Sequence, residues 1–162
     1  MRIDRNVPLR LLAVLALAVA LMPWPSGRAA AGAFDTLLGS WQGAGQIRLS
    51  DGRSERLKCN AYYTGGGSQL RMAIRCQSET SNVEIRSALS QSGGRISGTW
   101  EERTFNAQGN ASGQAANGRM TLAISGGVTG SMLVSYSASR QSVSISTQNI
   151  ALKSVSIDLT RS

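Results

Sequence analysis

The sequence predicts an all-β domain, a single antiparallel up-and-down β-barrel of about eight to ten strands. Apolar residues recur at every second position through most of the region 41–159, as in strands with one dry and one wet face. Turn signals separate these stretches at short intervals. No stretch after 34–38 has a helical period. A closed barrel hides both the dry face and the strand edges, and a β-sandwich is the alternative.

Residues 1–31 have the pattern of a secretory signal peptide and are set apart from the barrel. Three arginines precede an apolar run at 11–22, and small residues follow at Ala29–Ala31. The run is about a dozen residues, shorter than the roughly 20 that a membrane-spanning helix needs. We expect a cleaved signal peptide, a barrel domain over 32–162, and a periplasmic or secreted protein.

Nine alternating sets of apolar or small residues predict the strands in order. They are Trp41, Gly43, Gly45, Ile47 and Leu49; Leu57, Cys59, Ala61 and Tyr63; Leu70, Met72, Ile74 and Cys76; Val83, Ile85 and Leu89; Ile96, Gly98 and Trp100; Met120, Leu122 and Ile124; Met132, Val134 and Tyr136; Val143 and Ile145; and Val155, Ile157 and Leu159. The serine-rich tail is predicted as strand because its serines alternate with these apolar residues. The outward positions are polar, which argues against a membrane-spanning barrel.

The two cysteines predict a disulfide. Cys59 and Cys76 share the dry parity of two consecutive strands, joined around the turn 65–68. If the hairpin axis falls between Gly67 and Ser68, the two residues lie directly opposite each other. In an exported chain this register favours a cross-strand disulfide. A redox pair would have C-x-x-C spacing, which is absent.

The composition excludes several kinds of site. The chain has 17 Lys plus Arg, 9 Asp plus Glu and no His, so it has no Ser-His-Asp or Cys-His relay and no histidine metal cluster. Glu101 and Glu102 are adjacent on a predicted strand and point to opposite faces, which argues against a carboxylate pair. We therefore expect a protein that is not an enzyme, with no catalytic residue, metal or cofactor.

The excess of basic residues is spread along the predicted strands rather than gathered in a run. Solvated strand faces explain this pattern, and weak attraction to an anionic membrane surface or to acidic polymers is the alternative. No aromatic stacking motif accompanies the charges, so no nucleic-acid partner is expected. The oligomeric state stays open, with a monomer favoured.

The segment Phe34–Leu38, followed by Gly39-Ser40-Trp41, resembles the opening signature of the calycin superfamily, the lipocalins and their bacterial relatives. The resemblance implies an up-and-down barrel with an apolar cavity, in which Trp41 packs across the closed base. It also implies a late arginine that covers this tryptophan, here Arg161 or Arg140. Gly39, Trp41 and the disulfide are thus expected to be structural.

Two branches similar to this opening strand bear on function. The nitrobindin branch carries a haem whose iron needs a histidine that this chain lacks, so haem binding is not expected. Small periplasmic metalloprotease inhibitors share the export signal, the single disulfide and the early Gly-x-Trp. They supply an alternative function: a packed interaction module whose rim loops, or residues 32–38, dock onto a protein partner such as a protease.

The leading hypothesis is an exported, non-enzymatic binding protein that holds a small apolar or amphipathic ligand in the barrel. The predicted cavity lining consists of Tyr63, Met72, Trp100, Met120, Met132 and Tyr136, because flexible Met and amphipathic Trp and Tyr suit such ligands. Core packing is the alternative role for these side chains. Small inward residues such as Gly43 and Gly98 either leave room for a ligand or permit strand coiling.

Overall fold

The computed structural model describes residues 32–162, which form a closed barrel of ten antiparallel strands. A 3₁₀ turn, η1 (Asp35–Leu37), precedes the first strand. The strands are β1 (Gly39–Leu49), β2 (Ser54–Gly66), β3 (Gln69–Gln77), β4 (Asn82–Ser92), β5 (Arg95–Glu102), β6 (Ala107–Ala116), β7 (Arg119–Gly126), β8 (Thr129–Tyr136), β9 (Arg140–Gln148) and β10 (Leu152–Arg161). Each strand pairs with its neighbour in sequence, and β1 also pairs with β10. The predicted up-and-down barrel is confirmed, and the sandwich alternative is wrong.

The predicted signal peptide, residues 1–31, lies outside the described residues. Within residues 32–162, no helix is long and apolar enough to cross a membrane.

Strand β6 is the one strand that apolar alternation did not reveal. Its inward positions carry only alanine and glycine, from Ala107 to Ala115, and such small side chains give little hydrophobic signal. The strand is held by continuous pairing with β5 and β7. Its existence therefore follows from its neighbours rather than from its own pattern.

Two inward glycines permit close approach between strands. A Cβ atom built on Gly43 would lie 1.9 Å from the Asp158 carbonyl oxygen, and one on Gly98 would lie 2.0 Å from that of Ala88. Neither site has room for a side chain without a shift of the neighbouring backbone. Of the two roles left open by the sequence, strand coiling is the one that these glycines serve.

The barrel has two different ends. The closed end contains η1, the start of β1 and the turns that follow β2, β4, β6 and β8. Phe34 and Leu37 are fully buried there, as are the inward residues Trp41 and Met120. The open end contains the opposite set of loops, at 50–53, 78–81, 103–106, 127–128 and 149–151.

Trp41 and Arg161 hold the segments of the closed end together. The Trp41 indole N–H donates to the Leu37 carbonyl oxygen at 2.8 Å. The Arg161 guanidinium carbon lies 4.3 Å from the centre of the Trp41 ring, and its nitrogens donate to three main-chain carbonyls, each at 2.6 Å. Arg161, and not Arg140, is therefore the arginine that covers the tryptophan.

The disulfide Cys59–Cys76 is confirmed. The two residues are direct partners in the β2–β3 register, with their Cα atoms 4.2 Å apart. The hairpin axis falls between Gly67 and Ser68, since Gly66 pairs with Gln69. The disulfide therefore joins the inner faces of two neighbouring strands.

Candidate functional site

Apolar side chains of inward parity at the open end are only partly buried. We call this set the open-end cluster: Ile47, Ile85, Trp100, Ile124, Ile145 and Val155. By contrast, inward residues of the closed end such as Tyr63 and Met120 are at most 1 % exposed. Inward apolar side chains are thus shielded from solvent at the closed end and partly exposed at the open end, where they line the mouth of the barrel.

Trp100 is the largest member of the open-end cluster. Its indole N–H donates to the Ser125 carbonyl oxygen at 3.1 Å, which ties the ring to β7 across the small inward residues of β6. The ring is half-buried and has inward parity. It therefore presents a fixed apolar surface at the mouth.

Glu102 shares the parity of Trp100 and lies at the rim of the open end. Its carboxylate accepts from the main-chain N–H groups of Glu84, Thr104 and Phe105 at 3.1, 3.0 and 2.6 Å. These bonds hold the loop 103–106 against β4. No arginine of the described residues pairs with Glu102.

A polar pair lies inside the barrel, deeper than the open-end cluster. The Gln141 side-chain N–H donates to the Tyr63 hydroxyl oxygen at 2.9 Å, and Gln141 is only 3 % exposed. Its Oε1 has no hydrogen-bond partner in residues 32–162. Burial raises the pKa of Tyr63 to about 12, against the opposing effect of the Gln141 hydrogen bond. The interior thus holds an unsatisfied acceptor beside a neutral phenol.

Sequence reasoning did not single out Gln141. A signal was present, because Gln141 occupies the same parity as Val143 and Ile145 and is the only polar residue of that set before Thr147. A polar side chain at a dry position of a barrel strand is costly unless it is paired. Its pairing with Tyr63 spans 78 positions and follows only from the closed barrel.

The six side chains predicted to line a cavity lie at different levels of the barrel. Buried in the core are Tyr63, Met72, Met120 and Met132. Tyr136 is half-buried at the closed end, where burial raises its pKa and its O–H donates to the Ala33 carbonyl oxygen at 3.1 Å. Only Trp100 belongs to the open-end cluster. The structure does not bring the six together on one wall.

The segment 32–38, which the sequence offers as an element that docks onto a protein partner, is packed into the closed end. Phe34 and Leu37 are fully buried. The Asp35 carboxylate accepts from the Gly32 N–H at 2.7 Å and from the Gly67 N–H at 3.0 Å, which ties the segment to the β2–β3 turn. The Phe34 and Leu37 side chains are therefore not available to a partner in this structure.

A second concave feature lies on the outside of the barrel. This outer groove, of about 750 Å³, crosses β2 to β6. Two outward rows of side chains form its walls: Tyr62, Ala73, Arg86, Glu101 and Gln108 on one side, and Thr64, Arg71, Ala88, Thr99 and Asn110 on the other. Between them runs the row of Met72 and Trp100, whose side chains point inward and whose main chain forms the floor. The sheet itself separates the groove from the interior.

Charged residues beside the groove differ in their pairing. Arg86 and Arg75 approach Glu84 at 2.6 and 3.4 Å, and their hydrogen bonds, that of Arg86 first, hold the pKa of Glu84 below its usual value. Arg71 lies in the groove wall and has no carboxylate within 4 Å among the described residues. Its guanidinium is therefore available to a ligand.

Metal binding has no support in the described part of the chain. Across residues 32–162, no three His, Cys, Asp or Glu side chains are grouped where they could hold a metal ion.

Comparison with known proteins identifies the fold. No protein-family model and no curated protein sequence matches the chain. The structure is similar to that of Rv2717c from M. tuberculosis, with a TM-score of 0.69 and 16 % identity over 80 % of this chain and 95 % of that one. It is also similar to the S-type phycobiliprotein lyase CPES from Guillardia theta, with a TM-score of 0.55 and 14 % identity over 80 % of this chain and 90 % of that one. The fold is that of a calycin-like barrel.

The similarity to the lyase corrects one prediction. The absence of histidine and of a carboxylate pair led us to expect a protein that is not an enzyme. That prediction is wrong, because a protein with the same barrel fold is a phycobiliprotein lyase. The composition of the chain excludes histidine-dependent mechanisms and leaves other chemistry open.

Proposed function

We propose that this chain is an exported protein that binds a small apolar or amphipathic molecule inside its barrel, which the molecule enters through the open end. The observation that carries the proposal is the contrast between the two ends. Inward apolar side chains are sealed at the closed end and partly exposed in the open-end cluster. Removing apolar surface from water contributes about 25 cal/mol per Å², so a hydrocarbon segment that covers this mouth is stabilised there.

The buried polar pair favours an amphipathic ligand over a purely apolar one. An unsatisfied buried acceptor such as Gln141 Oε1 costs about 1–3 kcal/mol. A ligand hydroxyl or amide that donated to this oxygen would remove that cost. The Tyr63 hydroxyl, whose proton has no acceptor among residues 32–162, is the natural donor to the same ligand group.

Export is supported by two features. The disulfide Cys59–Cys76 is typical of proteins that mature in an oxidising compartment. Residues 1–31 have the charge, length and small-residue pattern of a signal peptide.

Binding of a neutral fluorescent probe, N-phenyl-1-naphthylamine, tests the interior site. We expect the wild-type protein to bind the probe with enhanced fluorescence. Trp100→Ala should weaken binding by at least about fivefold, equivalent to about 1 kcal/mol. The matched control is Leu133→Ala, which removes a partly exposed apolar side chain of outward parity on β8. Failure of the wild-type protein to bind the probe, or an equal loss in the control, would contradict an interior site.

The polar anchor has a separate test. Decanol should displace the probe better than its methyl ether, because only the alcohol can donate to Gln141 Oε1. In Gln141→Leu this preference should disappear, while binding of the probe itself persists. An unchanged preference in the variant would place the ligand head group elsewhere.

A further inference from the structure

The outer groove has the dimensions of a site for an elongated molecule. It crosses five strands, and four inter-strand spacings of about 4.8 Å give a length of roughly 19 Å. Its two walls stand two residues apart along each strand, so the width is about 7 Å. A chain-like ligand fills such a groove along its length, whereas a compact one leaves most of it empty.

The lining of the groove is polar and shallow. Its floor is main chain, and its walls include the small side chains Ala73 and Ala88. Hydroxyl and amide groups in the walls, including Thr99 and Asn110, supply both donors and acceptors. This lining suits a ligand with many hydroxyl groups and offers little to a hydrocarbon chain.

Tyr62 provides an aromatic surface at the β2 side of the groove. Its side chain is 57 % exposed, although tyrosine rings usually bury much of their apolar area. The ring stands in the groove wall beside the small Ala73, its partner in the register. An exposed ring next to hydrogen-bonding side chains is the arrangement on which the C–H face of a sugar ring stacks.

The charge of this face selects an anionic ligand. Outward positions of β2, β3 and β4 carry five basic residues and one acidic residue, Glu84: the basic ones are Arg56, Lys58, Arg71, Arg75 and Arg86. Glu101 adds one acid in the groove itself. Arg71 has no carboxylate partner in the described residues, and a free guanidinium binds a carboxylate through two parallel hydrogen bonds.

We infer that the outer groove binds a chain of acidic sugars extended across β2 to β6. Tyr62 stacks on one sugar ring and Arg71 pairs with a carboxylate of the chain. A flat membrane surface fits this face less well, because the unpaired cation lies in a recess and Tyr62 is the only large apolar side chain exposed on these strands. The site is independent of the interior, since the barrel wall lies between them.

Calorimetric titration with a mannuronate hexasaccharide tests the inference. We expect the wild-type protein to bind it, and to bind neutral maltohexaose about tenfold more weakly or not at all. Arg71→Gln and Tyr62→Ser should each weaken binding by at least about fivefold. The matched controls, Arg119→Gln and Leu133→Ser, remove an outward basic and an outward apolar residue far from the groove, and should change the affinity by less than about twofold.

Three results would overturn the inference: no binding of the hexasaccharide, equal binding of maltohexaose, or an equal loss of affinity in Arg119→Gln. If the hexasaccharide does not bind and phosphatidylglycerol vesicles bind to the wild-type protein but not to Arg71→Gln, this face binds a lipid head group instead. Thermal unfolding of each variant verifies that it is folded. The naphthylamine probe should bind to Arg71→Gln as to the wild-type protein, which keeps this test separate from that of the interior site.

Discussion

Trp41 joins three parts of the chain at the closed end. Its ring is 1 % exposed, its N–H is bonded to the Leu37 carbonyl of η1, and Arg161 from the last strand lies against its face. Removal of this one side chain therefore loosens η1, β1 and β10 together.

We predict that Trp41→Ala lowers the free energy of unfolding by about 3–5 kcal/mol, the usual cost of emptying a buried indole site. Trp100→Ala is the control, because its ring is only partly buried and should cost less. Guanidinium denaturation followed by far-UV circular dichroism measures both. A loss below about 1 kcal/mol in Trp41→Ala would mean that the base does not depend on this residue.

Tyr63 makes the free energy of unfolding depend on pH in the alkaline range. In the unfolded chain its pKa is about 10, and burial in the folded protein raises the pKa to about 12. Between these values the unfolded chain releases a proton that the folded protein keeps. The contribution of the neutral Tyr63 side chain to the free energy of unfolding is therefore complete below about pH 10 and is lost as the pH rises toward 12.

We expect the free energy of unfolding to fall between about pH 10 and pH 12 by up to about 3 kcal/mol through this residue. Tyr63→Phe should be less stable than the wild-type protein at neutral pH, because Gln141 loses its acceptor, yet it should lose less on alkalinisation. Urea denaturation at several pH values measures the difference. Equal alkaline losses in the two proteins would show that Tyr63 ionises without unfolding.

At the scale of the element, the disulfide joins the two strands of the β2–β3 hairpin. Cys59 and Cys76 enclose a segment with a sequence separation of 17. In the chain-entropy model a loop of this length contributes about 3 kcal/mol, by restricting the unfolded chain. The disulfide is buried on the inner face, where both cysteines also pack in the hydrophobic core.

We predict that thiol labelling of the native protein finds no free cysteine, and that the double substitution Cys59→Ala with Cys76→Ala lowers the free energy of unfolding by about 3 kcal/mol. Alanine is chosen because serine would bury a hydroxyl group. The reduced wild-type protein is the matched comparison and should lose a similar amount. Two labelled thiols in the oxidised, folded protein would contradict the disulfide.

At the scale of the whole molecule, the barrel separates two environments. The interior is apolar with one buried polar pair, Tyr63 and Gln141, while the outer face of β2 to β4 is basic and grooved. Because strands place alternate residues on opposite faces, strands β2 to β6 contribute side chains both to the interior and to the outer groove. The two proposed sites can therefore be altered one at a time.

Export is a prediction about the whole chain. Expression of residues 1–162 in a Gram-negative host should yield a periplasmic protein that begins at or near Gly32 and contains the disulfide. Deletion of the apolar run 11–22 is the control and should leave the protein in the cytoplasm with reduced cysteines. A full-length protein that keeps its N-terminus in the mature form would contradict a cleaved signal.

The fold and the disulfide could be predicted because their signals are local. Period-two alternation reveals a strand wherever its inward side chains are large, and the register of Cys59 and Cys76 follows by counting through one turn. The covered Trp41 at the base was instead implied by the resemblance of the Gly-x-Trp opening to the calycin superfamily. Strand β6 was not predicted, because its inward alanines and glycines give no such signal.

The sequence by itself determined an all-β domain of short antiparallel strands and the register of the hairpin disulfide. It favoured a barrel over a sandwich, and the base built on Trp41 was implied by the resemblance of the Gly-x-Trp opening. Only the tertiary structure decided which residues meet across the barrel. It pairs Gln141 with Tyr63 and brings Tyr62, Arg71 and Arg86, from three different strands, to the walls of one groove. The physical reason is that local alternation specifies which face a side chain takes, whereas its neighbours on that face depend on strand register and on barrel closure, which no single segment encodes.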